Sequence, residues 1–435
     1  MSENKKEDIV ILGGGLNGLF LAYFLRRKYS NCNITIIEKG AKMGGLIETQ
    51  RIGSTEIERF YHHIFLTDKI LLETAKDLGL DDKLDFKDSS IANLNNQIFQ
   101  PFVTPMDLLK YKGLSFITKI KIGIYSLLIQ KDKNGAKYID LNAKEWITKK
   151  MGKEAWAKLW GPLFVGKFHD YANNLSLSFL WTRLHVRGNS KKTGKEQLGY
   201  MKGSFSQISQ KMVALLPTMG IRFINNADIQ SITRVGEEYQ LQLSNETLST
   251  KSIISTFSPL IFKNVFKGFL PASYLAKVNS IKYLAVVCPM FISDQSATPY
   301  YWTNIIDESV PFKAIIEHTN LFDSPEYEGN KILYLSHYMK QDDPLFQKDD
   351  DFLKQFYLTG LEKVLGKKLQ PKEIIINRAM YAQPVFTLDM DKDMIKFETP
   401  IENVYQCNMV NLLPMERGIN SCIHIANEFV NSISL

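Results

Sequence analysis

Cysteine is scarce in these 435 residues: Cys32, Cys288, Cys407 and Cys422 stand far apart, with no C-x-x-C pair among them. That pattern excludes a zinc ribbon and a disulfide framework, so no metal site is expected and a reducing, cytoplasmic setting fits. Long hydrophobic runs are missing as well. The best candidate, 120–129, is flanked by lysines and falls short of the roughly 18 apolar residues a spanning helix needs. Residues 1–8 are polar and lack the basic and apolar regions of a secretory signal, so no cleaved leader is expected. Low-complexity tracts and internal repeats are also lacking, which excludes solenoids and disordered linkers. Nor does one charge dominate: the net +7 weakly favours anionic ligands or lipid surfaces, serves equally as ordinary solubility charge, and gives no reason to expect a nucleic-acid partner.

What is present, 45% hydrophobic and 23% charged residues, describes a globular chain long enough for two substructures. Residues 9–12 are an apolar run, 13–18 are glycine-rich, 19–28 carry helical apolar spacing, and 33–37 read as a second strand. Together they make a βαβ unit. From 107 to about 187 the pattern is mostly helical, with amphipathic pieces at 143–151 and 154–163 punctuated by Gly152 and Gly161. A helix over 205–216 and strands at 221–224, 229–235, 238–243 and 252–256 return the chain to a sheet. Strands at 284–292, 312–317, 332–338 and 374–381, interrupted by a helix over 352–365, predict a second, largely antiparallel sheet. A strand at 404–407 and a helix from 419 onward close the chain.

Within the first βαβ unit, Gly13, Gly15 and Gly18 satisfy G-x-G-x-x-G between strand and helix. The first glycine permits the tight turn, the second lets backbone approach a pyrophosphate, and the third lets helix pack on strand. The helix start, with Leu16 and Asn17, points free N–H groups at the phosphates. Glu38 ends the second strand, where its carboxylate can accept hydrogen bonds from an adenosine ribose and disfavours a 2′-phosphate. The motif alone does not separate NAD from FAD.

Glu38 is followed by Lys39-Gly40-Ala41-Lys42-Met43-Gly44-Gly45-Leu46. An acidic strand end with a glycine pair at this distance resembles the flavin-binding amine oxidase and protoporphyrinogen oxidase superfamily. Further resemblance covers nearly the whole chain: Glu145-Trp146-Ile147 to Pro162-Leu163 is similar to a helical domain of that superfamily, Gly199-Tyr200-Met201-Lys202-Gly203-Ser204-Phe205 to its lead into a helix, and 253–259 to its strand and turn. The resemblance implies non-covalent FAD. It also implies an α/β fold, α+β overall, with a Rossmann-type FAD-binding domain of the glutathione-reductase-2 kind, an antiparallel-sheet substrate domain and a helical insertion. The corresponding divisions are 1–90, 199–265 and 396–435 for FAD binding, 91–198 for the insertion and 266–395 for the substrate sheet. Residues expected at the cofactor by this route are Lys39, Gly44, Gly45, Leu46, Ile229 beside the adenine, and Gly418, Ile419 and Asn420 closing over the flavin ring. Two positions depart from the pattern: Leu46 replaces the usual arginine, and Gln406-Cys407-Asn408 replaces a glycine-rich strand end.

Candidate chemistry lies in Glu58-Arg59-Phe60-Tyr61-His62-His63-Ile64-Phe65, which also resembles a segment of UDP-galactopyranose mutases that places a histidine beside the flavin. His62 and His63 are candidate proton carriers because imidazole titrates near neutral pH; the alternative is that they pack an interface. A second cluster joins Tyr300, Tyr301 and Trp302 with Glu317 and His318. There the expectation is a pocket role for Glu317 and His318 and packing for Tyr300 and Trp302. Arg378, Tyr381 and Arg417 are weaker candidates for an anionic group. Finally, 108–133 combines Phe116, Ile120, Ile124 and Leu128 with six lysines, a pattern that either packs on its own domain or rests on an anionic membrane, placing the protein at a membrane's inner face. The leading expectation is an oxidoreductase acting on a small-molecule C–N or C–C bond by hydride transfer to flavin N5. A redox-neutral sugar-nucleotide mutase and a non-catalytic FAD-binding protein are the alternatives. Oligomeric state is left open.

Overall fold

The computed structural model describes residues 5–192 and 194–434, so the reading of 1–8 lies partly outside them. Strand Lys5–Leu12 runs into helix Leu16–Lys28 and then strand Ile34–Ile37. Residues 9–12 and 34–37 are buried on both faces, as apolar runs inside a parallel sheet must be. Ile221–Ile224 and Thr247–Ser255 flank them in parallel, Val404–Gln406 joins Thr247–Ser255, and Glu238–Leu243 and Ile229–Val235 finish the sheet as an antiparallel ribbon. The strands expected at 221–224, 229–235 and 238–243 fall where they were read. The helix at the C-terminal end, Ile419–Ser432, packs against Leu16–Lys28.

The second sheet also has seven strands, antiparallel except where Trp302–Ile305 meets Ile91–Asn95. Residues 91–101 therefore contribute two strands to this sheet before the helical insertion begins. Helix Asp350–Leu365 covers one face through Leu353, Tyr357, Leu361 and Val364. The other face meets the insertion, whose helices include Pro105–Lys110, Phe116–Lys131, Gly161–Phe168 and Ser178–Asn189. Gly161 does not break the insertion as expected: a π-turn at Trp156–Trp160 carries the chain directly into the next helix. No helix among the described residues is long and apolar enough to cross a membrane.

Candidate active site

The glycine turn is built as its spacing requires. Gly13 has φ +107°, and a Cβ there would lie 2.3 Å from Thr256 Oγ1. A Cβ on Gly18 would lie 2.0 Å from the Gly13 carbonyl oxygen, which is the close helix–strand contact the third glycine permits. Gly15 differs: a Cβ there meets nothing nearer than Gly45 Cα at 3.9 Å, so its bare side faces open space. Gly44 donates its N–H to the Gly14 carbonyl at 2.8 Å, which brings the two glycine segments together. Gly14, passed over in the motif, is equally constrained, since a Cβ would lie 2.0 Å from Met43 Sδ.

Glu38 stands at the rim of this cradle. Its carboxylate accepts the N–H of Gly14 at 2.8 Å and of Gly40 at 2.7 Å, fixing it at the strand end. The backbone of 226–227 lies against the same turn, with Asn226 N–H on the Gly40 carbonyl and Ala227 N–H on that of Glu38, and half-buried Ile229 follows. Lys39 and Leu46 are exposed, Lys39 pairing with Asp228 at 3.4 Å. Two expected contacts spend their side chains elsewhere. The Asn17 amide donates to the Cys407 carbonyl at 2.5 Å, and Asn420 Oδ1 accepts the Leu71 N–H at 3.1 Å, leaving only backbone at those two helix starts. Leu16 and Ile419 are buried in the core.

A cavity of about 410 Å³ lies between the second sheet and the insertion. Its floor follows from register: Ile91 pairs with Trp302, and Asn304, Ala314 and Ser336 pair in succession, so their side chains share one face. Its wall includes Ile122, Phe164, Lys167, Arg183, Arg187 and Lys191. Arg187 grips Glu196 at 2.7 and 3.2 Å, while Arg183 and Lys167 reach Glu416 at 2.7 and 3.2 Å. Burial alone would raise the Glu416 carboxyl; Arg183, Lys167 and Arg417 instead hold it down to about 2. Burial lowers Lys167 below the ordinary lysine range despite Glu416. Arg417 donates to the Tyr338 hydroxyl at 2.5 Å, and burial of that phenol is outweighed by Arg417 and Lys167, which lower it. Tyr61 lies beside it, its hydroxyl 3.0 Å from Ser336 Oγ. Through Glu416 and Arg417 this end of the cavity is joined directly to Gly418 and the Ile419–Ser432 helix start.

Other sequence candidates fall elsewhere. Glu317 and His318 do not line the cavity: Oε2 of Glu317 accepts the N–H groups of Ala297 and Thr298 at 2.9 and 3.1 Å, and His318 sits among Tyr200, Phe322 and Tyr334 with Nε2 3.0 Å from the Tyr327 hydroxyl. Trp302 instead lines the cavity, Tyr300 packs on Phe99 as expected, and Glu317 and His318 are buried with their polar atoms taken up by those amides and the Tyr327 hydroxyl. His63 lies behind Trp302, its Nδ1 3.0 Å from the Tyr301 hydroxyl, and burial together with Arg187 and Arg183 pushes it down to about 3. His62 faces the Phe60 carbonyl, and burial lowers it as well. Both rings are neutral at physiological pH. Arg378 is tied to Asp350 at 2.6 Å and Tyr381 packs edge-on to Tyr283, neither on the cavity.

Burial pushes Glu317 up to about 8, above the ordinary 4.5. Stability from its neutral form is therefore complete below about pH 4.5 and lost as pH rises through 8. Glu317→Gln should flatten the fall in Tm between about pH 4.5 and 8, and parallel Tm–pH profiles for variant and parent over that range would contradict this protonation state.

A family model described as flavin containing amine oxidoreductase matches residues 16–387. The chain belongs to this family. Among its relatives is the coproporphyrinogen III oxidase of Staphylococcus aureus, 21% identical over 96% of this chain and 97% of that one. Similar solved structures include an Exiguobacterium protein assigned as a protoporphyrinogen oxidase, with TM-score 0.78, 20% identity and 99% coverage of both chains. Another is cyclohexylamine oxidase from Brevibacterium oxydans, with TM-score 0.73, 14% identity and 98% coverage of both. This amine oxidoreductase family member is thus a flavin-dependent oxidoreductase, and its cradle fits the cofactor: Gly15 leaves room beside Gly45, and a Cβ on Gly418 would meet nothing nearer than Ser421 Oγ at 3.8 Å.

Proposed function

We propose that the chain binds FAD without a covalent link and oxidises a C–N or C–C bond in a substrate that joins an anionic group to an apolar body. The observation carrying this reading is the about 410 Å³ cavity lined by Lys167, Arg183 and Arg187 and by Tyr61 and Tyr338, the last of which is bonded to Arg417 beside the Gly418 helix start. A bound flavin supplies a hydride acceptor at N5. The remaining work falls to side chains. Arg183 and Arg187, one helical turn apart, present donors to the anionic group, while Trp302, Phe164 and Ile122 pack its apolar part. Lys167 and Tyr338, lowered toward neutrality by their surroundings, can hold or move a proton at the cavity's end. His63, neutral behind Trp302, positions rather than titrates. Cys288 and Cys407 are buried in the core, which favours a non-covalent cofactor.

Anaerobic addition of porphyrinogens with free carboxylates and of aliphatic amines to the yellow protein tests this. Bleaching by the carboxylated compound is expected, and Arg187→Ala should raise KM about ten-fold with little change in kcat. The second reading, a redox-neutral sugar-nucleotide mutase, is favoured by the same two arginines as a diphosphate clamp. Conversion of a UDP-sugar with no bleaching by either class of reductant would replace the first reading with the second.

A further inference from the structure

The Phe116–Lys131 helix turns apolar side chains to solvent. Phe116 and Ile117 are 70% and 68% exposed, and Ile120, Ile124, Leu127 and Leu128 are exposed along the following turns. Met106 and Leu109 of the preceding Pro105–Lys110 helix extend the patch, so that eight of the fourteen large exposed apolar side chains among the described residues lie on this one helix pair. Loose packing is not the cause. Thr118, Ile122 and Ile129 bury the opposite side, and the helix rests on Ser178–Asn189.

Lysines 110, 112, 119, 121, 131 and 133 surround the patch. The two acids among them are already engaged: Asp107 caps its own helix, and Asp132 pairs with Lys137. We infer that this face docks on an anionic lipid bilayer, lying in the interface with its apolar side chains among the acyl chains and its lysines at the headgroups. Charge selects this occupant. A second copy docked through the same face would set six lysines against six, and a soluble apolar partner would leave all of them unused. Leu127 belongs both to the exposed face and to the cavity lining, so docking sets the cavity's helical wall against the lipid.

Sedimentation of the flavin-loaded protein with vesicles tests the proposal without reading turnover, so its failure leaves the proposed reaction standing. The protein should pellet with vesicles of phosphatidylcholine and phosphatidylglycerol, remain in the supernatant with phosphatidylcholine alone, and lose binding as salt rises. Phe116→Ser with Ile117→Ser and Ile120→Ser should weaken binding at least about ten-fold. Lys121→Glu should weaken it about five-fold or more. Flavin absorbance and Tm, unchanged in these surface variants, establish that they are folded. Parent protein that ignores both vesicle types, or a triple serine variant that binds as well as the parent, overturns the inference. So does a lipid-free dimer that the triple variant dissolves, which would assign the face to a second copy.

Discussion

Gly15→Val should purify as a folded, colourless protein. The backbone at Gly15 has φ −69° and ψ 176°, which any residue adopts, so the substitution adds no backbone strain. Its Cβ meets nothing nearer than Gly45 Cα at 3.9 Å, and the side chain extends from there toward the opening where the pyrophosphate must approach the helix start. Gly18→Val would not serve, since its Cβ would collide with the Gly13 carbonyl at 2.0 Å and damage the fold itself. Visible absorbance, and flavin released on heating, measure the effect; a Gly15→Val protein with full flavin content refutes the assignment of the cradle.

Glu416→Gln is the second large effect, and it acts on stability. Arg183 at 2.7 Å, Lys167 at 3.2 Å and neighbouring Arg417 share this one mostly buried carboxylate. Removing the charge leaves three cations enclosed without their counter-ion, which costs about 3–5 kcal/mol. At an unfolding entropy of about 2.1 cal/mol/K per residue, a chain of this length then unfolds roughly 4 °C earlier. The acid limb changes as well. Glu416 is held down to about 2 when folded, so its contribution is present above the unfolded value of 4.5 and disappears as pH falls toward 2. The variant should lack that part of the acid loss. Urea unfolding across this range measures both effects, and a variant within about 1 kcal/mol of the parent removes Glu416 as the cluster's anchor.

Legibility followed sequence distance. The glycine turn, its helix and Glu38 lie within one βαβ unit, so each signal reinforces its neighbour and the cradle could be read directly. The ribbon strands at 229–235 and 238–243 were bounded correctly because turn residues such as Gly236 punctuate them. Lys167, Arg183 and Arg187 were missed. On a helix a cation reads as a solvated face, and these point inward only because the insertion docks on the second sheet. Glu317 and His318 failed for the opposite reason: buried polar groups resemble pocket residues until their partners, the Ala297 and Thr298 amides and the Tyr327 hydroxyl, are seen. The 108–133 stretch allowed both packing and exposure, and the fold chose exposure for most of its apolar positions.

By itself the sequence determined a side-chain-free turn, an acidic strand end and the alternation of apolar residues that makes two sheets, because backbone sterics and periodicity act over a few residues. Tertiary structure alone decided which charges face the cavity, which carboxylate neutralises them and which aromatic forms the floor. Those outcomes depend on helices and strands more than a hundred residues apart meeting in one register, and on the cost of enclosing any charge that lacks a partner there.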